Sequence, residues 1–245
     1  MSNLPNPNQF KEHTPVYSVP QGKITNKPSY DIKQIDKTFR EALLKCESKH
    51  FNGLVGELFN GAFWNSCPNL NGGVGRFGYS PKDKSLTIHL NDENKKVQTI
   101  VIRKSGETKW KTYGSKRFIP HDIHDEFIFI YSGMAETIIC ERLGLSYIGL
   151  QSDGMVKHLP VNLKELARDK NIIVLADNDK TFKAIIPTIR EFFSHSKTIV
   201  IDFEVVLKRE LPHGYDFRDF VNEIGNADRV LTLLEENIIK GGSNV

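Results

Sequence analysis

Ile172-Ile173-Val174-Leu175-Ala176-Asp177-Asn178-Asp179 sets five apolar residues directly before two acids separated by one residue. So short an apolar run, rich in β-branched side chains, predicts a strand buried on both faces, as in parallel sheets covered by helices. The acids then fall at the carboxyl end of that strand, the edge where open α/β sheets bind their ligands. Carboxylates spaced in this way can turn to the same side, and hard cations such as Mg²⁺ take oxygen ligands of this kind. Asp179 also reads plainly as the cap of a following helix.

Outward from this stretch, strand and helix alternate. Phe127–Tyr131, Tyr147–Leu150 and Thr198–Phe203 read as strands; Ala135–Leu143, Leu163–Arg168 and Lys183–Phe193 read as helices. The alternation predicts a Rossmann-like parallel sheet with helices on both faces. Helical segments near Phe217–Glu223 and Ala227–Ile239 close the chain, with a second acidic pair, Asp216 and Asp219, ahead of them. Asp216 too has a plain reading as a helix cap. Ser152-Asp153-Gly154 reads as a tight turn.

Upstream of Pro120 the rhythm differs. Ile32, Ile35, Phe39, Leu43 and Cys46 recur at helical spacing, which predicts one helix from Asp31 to His50, capped by Ser29 or Asp31 and ended by Asn52-Gly53. The Gly/Asn-rich passage that follows, including Asn71-Gly72-Gly73 and Gly75, reads as loop. Leu86, Ile88 and Leu90 share one side of a strand; Ile100 and Ile102 alternate with Val101 and Arg103; Trp110 and Tyr113 suggest another strand. The expected fold class is α/β, or α+β overall. A proline-rich tail (1–28) leads to a small, mostly antiparallel subdomain (29–120), then the parallel-sheet domain (121–245). His121 to Asp125 reads as a polar linker between the two.

Of the 245 residues, 39% are hydrophobic and 26% charged, which excludes a disordered chain or a disulfide-stapled miniprotein. The net charge of +3 averages two unlike halves: residues 1–120 hold 19 Lys+Arg against 10 Asp+Glu, and residues 121–245 hold 14 against 20. A basic half suits a polyanion, and an acidic half suits cations. The basic cluster includes Arg103, Lys104, Lys109, Lys111, Lys116 and Arg117, interleaved with Trp110 and Tyr113. Cationic groups neutralise phosphates and aromatic faces stack on unpaired bases, so this composition suits single-stranded nucleic acid. A solvated, lysine-rich sheet face with the aromatics in its core explains the same residues. Three widely spaced cysteines, a polar start and no membrane-length apolar run point to the cytoplasm, with no membrane partner.

Three acidic patches in order resemble the Toprim domain shared by DnaG-type primases, topoisomerases and some nucleases. They are Tyr131-Ser132-Gly133-Met134-Ala135-Glu136, then Asp177-Asn178-Asp179, then Asp216-Phe217-Arg218-Asp219. Gly75-Arg76-Phe77-Gly78-Tyr79 and Lys109-Trp110-Lys111-Thr112-Tyr113-Gly114 resemble pieces of the basic subdomain that precedes it in DnaG-type and phage primases. The resemblance implies Mg²⁺ (or Mn²⁺) on Asp177, Asp179, Asp216 and Asp219, with Glu136, Asp177 and Asp179 catalytic. It further implies single-stranded DNA on the basic face, with Arg76 included, nucleotides as substrates, and a replicative helicase as a partner. The implied activity is RNA primer synthesis; a non-catalytic single-strand-binding or replication-accessory role and a Toprim nuclease are the alternatives.

Two departures stand out. Ser132 occupies the position of the family's glutamate, and a hydroxyl that is not ionised at pH 7 replaces neither a base nor a metal ligand well. Glu136 lies four residues further on, within one helical turn. Phe182 stands where a glycine usually follows Asp-x-Asp and is expected to narrow the approach of a phosphate. No zinc site is expected, because Cys46, His50 and Cys67 supply only three candidate ligands where a structural zinc takes four. No Walker A sequence is present, so no helicase motor is expected in this chain.

Overall fold

The computed structural model describes residues 31–92, 94–103 and 110–242, and of Arg103 and Trp110 only the backbone. The expected tail, with Lys104 and Lys109, lies outside these residues. Two sheets organise the chain. Strands β1 (Phe77–Ser80), β2 (Ser85–Asn91), β3 (Val97–Arg103) and β4 (Trp110–Gly114) form an antiparallel meander in that order. The second sheet runs β5 (His121–Asp122), β7 (Ser146–Leu150), β6 (Phe127–Ser132), β8 (Asn171–Ala176), β9 (Lys197–Asp202). Its last four strands are parallel, as the apolar runs predict, and β5 adds an antiparallel edge. His121-Asp122 is therefore sheet rather than linker, paired with Ile148 and Tyr147.

Side-chain alternation along β6 and β8 sorts residues to two cores. Phe129, Tyr131, Ile173 and Leu175 face one; Ile128, Ile130, Ile172, Val174 and Ala176 face the other. Both faces are covered, which is why these strands read as continuous apolar runs. Helices α5 (Asn162–Leu166) and α6 (Lys180–Phe192) supply Leu163, Phe182 and Ile189 to the second core. The first core is larger. It takes α4 (Ala135–Leu143), α8 (Phe217–Ile224) and α9 (Ala227–Gly242), and also Phe77, Leu86, Ile88, Leu90 and Val101 of the antiparallel sheet. The α4 helix is buried from Ala135 to Cys140, as a helix covered on all sides must be.

The single helix expected from Asp31 to His50 is two, α1 (Ile32–Leu44) and α2 (Ser48–Gly56), separated by extended backbone at Glu47. Asp31 caps α1, accepting from Lys33 N at 3.0 Å. Asn52-Gly53 sits inside α2 rather than ending it. Burial of Leu54 and Val55 outweighs a helical glycine's cost of about 1 kcal/mol. Cys46 falls in the break, not on the α1 face. The passage taken as loop contains α3 (Gly61–Ser66), capped by Asn60 and anchored by the buried Phe63. A short helix, α7 (Phe203–Leu207), follows β9. Among the described residues, no helix is long and apolar enough to cross a membrane.

Candidate active site

Strands β6 and β8 are neighbours whose outgoing connections diverge, β6 leading through α4 to β7 on one side and β8 through α6 to β9 on the other. The crevice at their carboxyl ends is the sheet's topological switch point, where such folds bind ligands. At the end of β6 the chain turns through Gly133, whose φ of 118° suits glycine and whose N–H donates to Leu150 O at 2.8 Å. A Cβ on Gly133 would collide with Glu136 Oε2. The turn thus lets Glu136 fold back over it. Glu136 is only 2% exposed, and its Oε2 has no hydrogen-bond partner; Asp177 Oδ1, at the end of β8, is buried and unpartnered as well.

Burial first, and neighbouring charges second, explain the electrostatics. Burial, then the charge of Asp216, raises the Glu136 pKa well above the carboxylate range. Burial, then Glu136, Asp216, Asp153 and Asp179, pushes Asp177 up to about 9. Burial also raises Asp216, which the guanidinium of Arg218 partly offsets. Crowded acids that all resist ionisation are characteristic of functional sites.

The helix-cap readings hold alongside this crowding. Asp179 Oδ1 accepts from Phe182 N at 2.6 Å and caps α6, while Asp216 and Asp219 form a capping box at the start of α8. Asn178, between the two acids that follow β8, is a clamp. Its side chain donates to Leu211 O at 2.8 Å and to Glu204 Oε1 at 3.2 Å, and its backbone N–H donates to Tyr215 O at 2.8 Å. The loop that delivers Asp216 is thereby tied to the strand that delivers Asp177.

Oxygen donors are the ligand type that a hard divalent cation takes, and two buried oxygens here are left unpartnered. Among the described residues, no three His, Cys, Asp or Glu side chains close on one point tightly enough to enclose an ion. The carboxylates gather round the strand ends without meeting.

A cleft of about 360 Å³ opens here, walled by Ser132–Glu136, Gln151, Ser152, Asp216 and Arg218 on one side and by Val101, Thr112 and Lys116 on the other. The two sheets face each other across it. Of the basic residues singled out in the sequence, Lys116 lines the cleft, and Arg117, next in the chain, is exposed but is not among the lining residues. Lys111 and Tyr113 lie on the opposite face of β4, where Tyr113 packs edge-on against Phe39 of α1 and Lys111 sits 4.9 Å over its ring. Arg76 is engaged internally, its Nη2 2.5 Å from Glu141 Oε1 of α4. Phe182 is fully buried in the second core and does not line the cleft, so its ring leaves the approach open, contrary to expectation.

Two residues join the site that the sequence reading did not place there. Asp153, read as part of a tight turn, opens the short 3₁₀ helix after β7, where burial raises its pKa, a hydrogen bond with Ser132 partly offsets this, and the charge of Asp179 adds to it. The pattern that exposed Asp177, an apolar strand followed by acid, exposes Asp153 too, at a three-residue remove. Arg218, read only as the spacer between Asp216 and Asp219, enters the cleft.

No protein-family model matches the chain, and no curated protein matches it. Solved structures do. The primase fragment of the bacteriophage T7 primase-helicase protein aligns over 64% of each chain with 14% identity and a TM-score of 0.48. The Aquifex aeolicus primase, zinc-binding and RNA polymerase domains, aligns over 84% of this chain and 59% of that one, with 15% identity and a TM-score of 0.53. The chain therefore spans less than two thirds of either structure. With its antiparallel sheet set against a mixed sheet of parallel strands, it has a primase-like fold.

Proposed function

We propose that the chain is a Toprim-type, primase-like nucleotidyltransferase that makes RNA primers on single-stranded DNA. The observation that carries this reading is the pair of buried, unpartnered carboxylate oxygens, Glu136 Oε2 and Asp177 Oδ1, at the switch point of a primase-like fold. In this reading Asp177, Asp179, Asp216 and Asp219 hold Mg²⁺ or Mn²⁺, with Glu136 completing the cluster. A divalent cation held by these residues would supply neutralisation of phosphate charge during phosphoryl transfer. The basic residues around Lys116 and Arg117 guide template strand into the cleft. We also propose that residues 29–120 serve as the template-binding unit and 121–245 as the catalytic unit. A replicative helicase belongs to the same reading as a partner in trans.

A priming assay with ribonucleotides, Mn²⁺ and single-stranded templates tests it. Wild type should extend labelled dinucleotides, and Asp177→Asn or Glu136→Gln should lose at least 100-fold of that activity, as expected of groups that hold the reacting phosphates. Ser132, which leaves the end of β6 without an ionisable group, favours a second reading, a single-strand-binding accessory protein. That reading gains if no primer forms while an oligonucleotide binds with steep salt dependence.

A further inference from the structure

Gln151 ties the two walls of the cleft together. It follows β7, whose last residue, Leu150, accepts the Gly133 N–H at the turn that carries Glu136. Its side chain reaches the other wall. Nε2 donates to Phe118 O at 2.5 Å and to Ser115 O at 3.5 Å, one hydrogen of the amide for each carbonyl. Only the nitrogen end of the amide can face these two carbonyls, since its oxygen would meet acceptors alone. Between them lies the turn Lys116-Arg117, and Gln151 and Lys116 both line the cleft. Ser115 is fastened again, to β3: its N–H donates to Gln98 O at 2.9 Å and its carbonyl accepts from Thr99 Oγ1 at 2.5 Å. Phe118 O has Gln151 as its one donor among the described residues, and the next anchor along the chain is Pro120 O, which accepts the Gly149 N–H at 2.8 Å. The far side of the turn is therefore held by this amide. An exposed lysine on a two-residue turn presents its charge at one place only as far as the turn is fixed, and a contact fixed in advance costs less to make.

We propose that Gln151 is a positioning residue for strand binding. By fastening the Lys116-Arg117 turn on both sides, it holds Lys116 across the cleft from Ser132 and Gly133. It thereby sets the point at which the phosphate backbone of a bound single strand crosses the carboxyl end of β6. Gln151 acts through Lys116 and carries no charge of its own. The inference rests on the reading of Lys116 as a strand contact and requires no cation on the carboxylates.

Anisotropy of a fluorescein-labelled oligothymidylate bound to the full chain, over a series of NaCl concentrations, tests it through a double-mutant cycle of Gln151→Met and Lys116→Ala. Methionine keeps the length of glutamine and removes both donors. Lys116→Ala should bind about 3- to 10-fold more weakly, and the slope of log affinity against log salt should fall by about 0.7, the value for one phosphate contact on a single strand. Gln151→Met should bind about 3-fold more weakly and lower the slope in the same direction, although it removes no charge. In the Lys116→Ala background Gln151→Met should change neither quantity, because the group it positions is gone. Gln151→Asn, which keeps the amide but is one methylene short, carries the test if Gln151→Met does not fold, with the same pattern expected. Equal losses from Gln151→Met with and without Lys116, or no loss at all, overturn the positioning role. If Lys116→Ala still weakens binding in that case, the strand-binding reading stands and only the role of Gln151 falls. If wild type binds no oligothymidylate, or Lys116→Ala binds it as wild type does, the strand-contact reading falls and the positioning role with it.

Discussion

His89 shows how one buried side chain sets a pH limit on the fold. It lies wholly inside, between Asp36 of α1, whose Oδ1 is 2.6 Å from its Nδ1, and Thr87, whose Oγ1 is 2.6 Å from its Nε2. A neutral ring satisfies both contacts, donating from Nδ1 to the carboxylate and accepting the threonine hydroxyl at Nε2. Burial outweighs the attraction of Asp36, which is shared with Arg40, and lowers the His89 pKa to about 4. The unfolded chain therefore binds more protons than the folded one between about pH 6.5 and pH 4, and stability falls as pH drops through that window. Urea unfolding should show a loss of about 2 kcal/mol from this group between pH 7 and pH 5, and His89→Gln should flatten that part of the slope. Glu136 gives the opposite kind of test. Glu136→Gln removes a charge that burial and Asp216 both oppose, so in chelator it should raise stability by about 1–3 kcal/mol while removing cation-induced stabilisation. Gly133→Ala should cost about 1–3 kcal/mol, because it adds positive-φ strain and drives a methyl against Glu136 Oε2. Chemical denaturation measures both.

Among the elements, the parallel strands were the most legible. Five apolar residues in a row at β8 can only be buried on both sides, and the structure divides them between two cores. The α1–α2 break was not legible, because Cys46 continues the helical spacing and no proline or glycine marks the turn. A two-residue edge strand such as β5 carries too few positions for any period to register. The site was half legible. Asp177 and Asp179 follow a strand directly, and Glu136 stands one helical turn from Ser132. The rotation of β4 that sends Lys111 and Tyr113 to α1 and Thr112 to the cleft depends on register, which composition does not reveal. The clamp at Asn178 belongs to this scale, since it joins a strand end to the loop before α8. Asn178→Ala should leave the sheet intact yet loosen that loop, weakening Mn²⁺ affinity about 3- to 10-fold. Calorimetry reads the affinity, and amide exchange of residues 211–215 reads the loosening.

At the scale of the whole molecule, the antiparallel sheet and the parallel sheet share a core that runs from Leu54 to Leu234. Their seam is also polar. Arg142 of α4 donates to the backbone oxygens of Trp64 and Leu70 and stacks 4.0 Å from the Trp64 ring, and Arg76 reaches Glu141 from the other direction. Arg142→Ala should cost about 3–5 kcal/mol, because it removes a buried guanidinium and strips the Trp64 and Leu70 carbonyls of their donor, and thermal unfolding of wild type should remain a single transition. The cleft lies across this same seam, and that has a kinetic meaning. Walls fixed to one common core have no hinge between them, so the width of the slot is set by the fold and not by a closing step. Stopped-flow traces for oligonucleotide association should be single-exponential, with an observed rate that rises linearly with concentration and does not level off at an opening step.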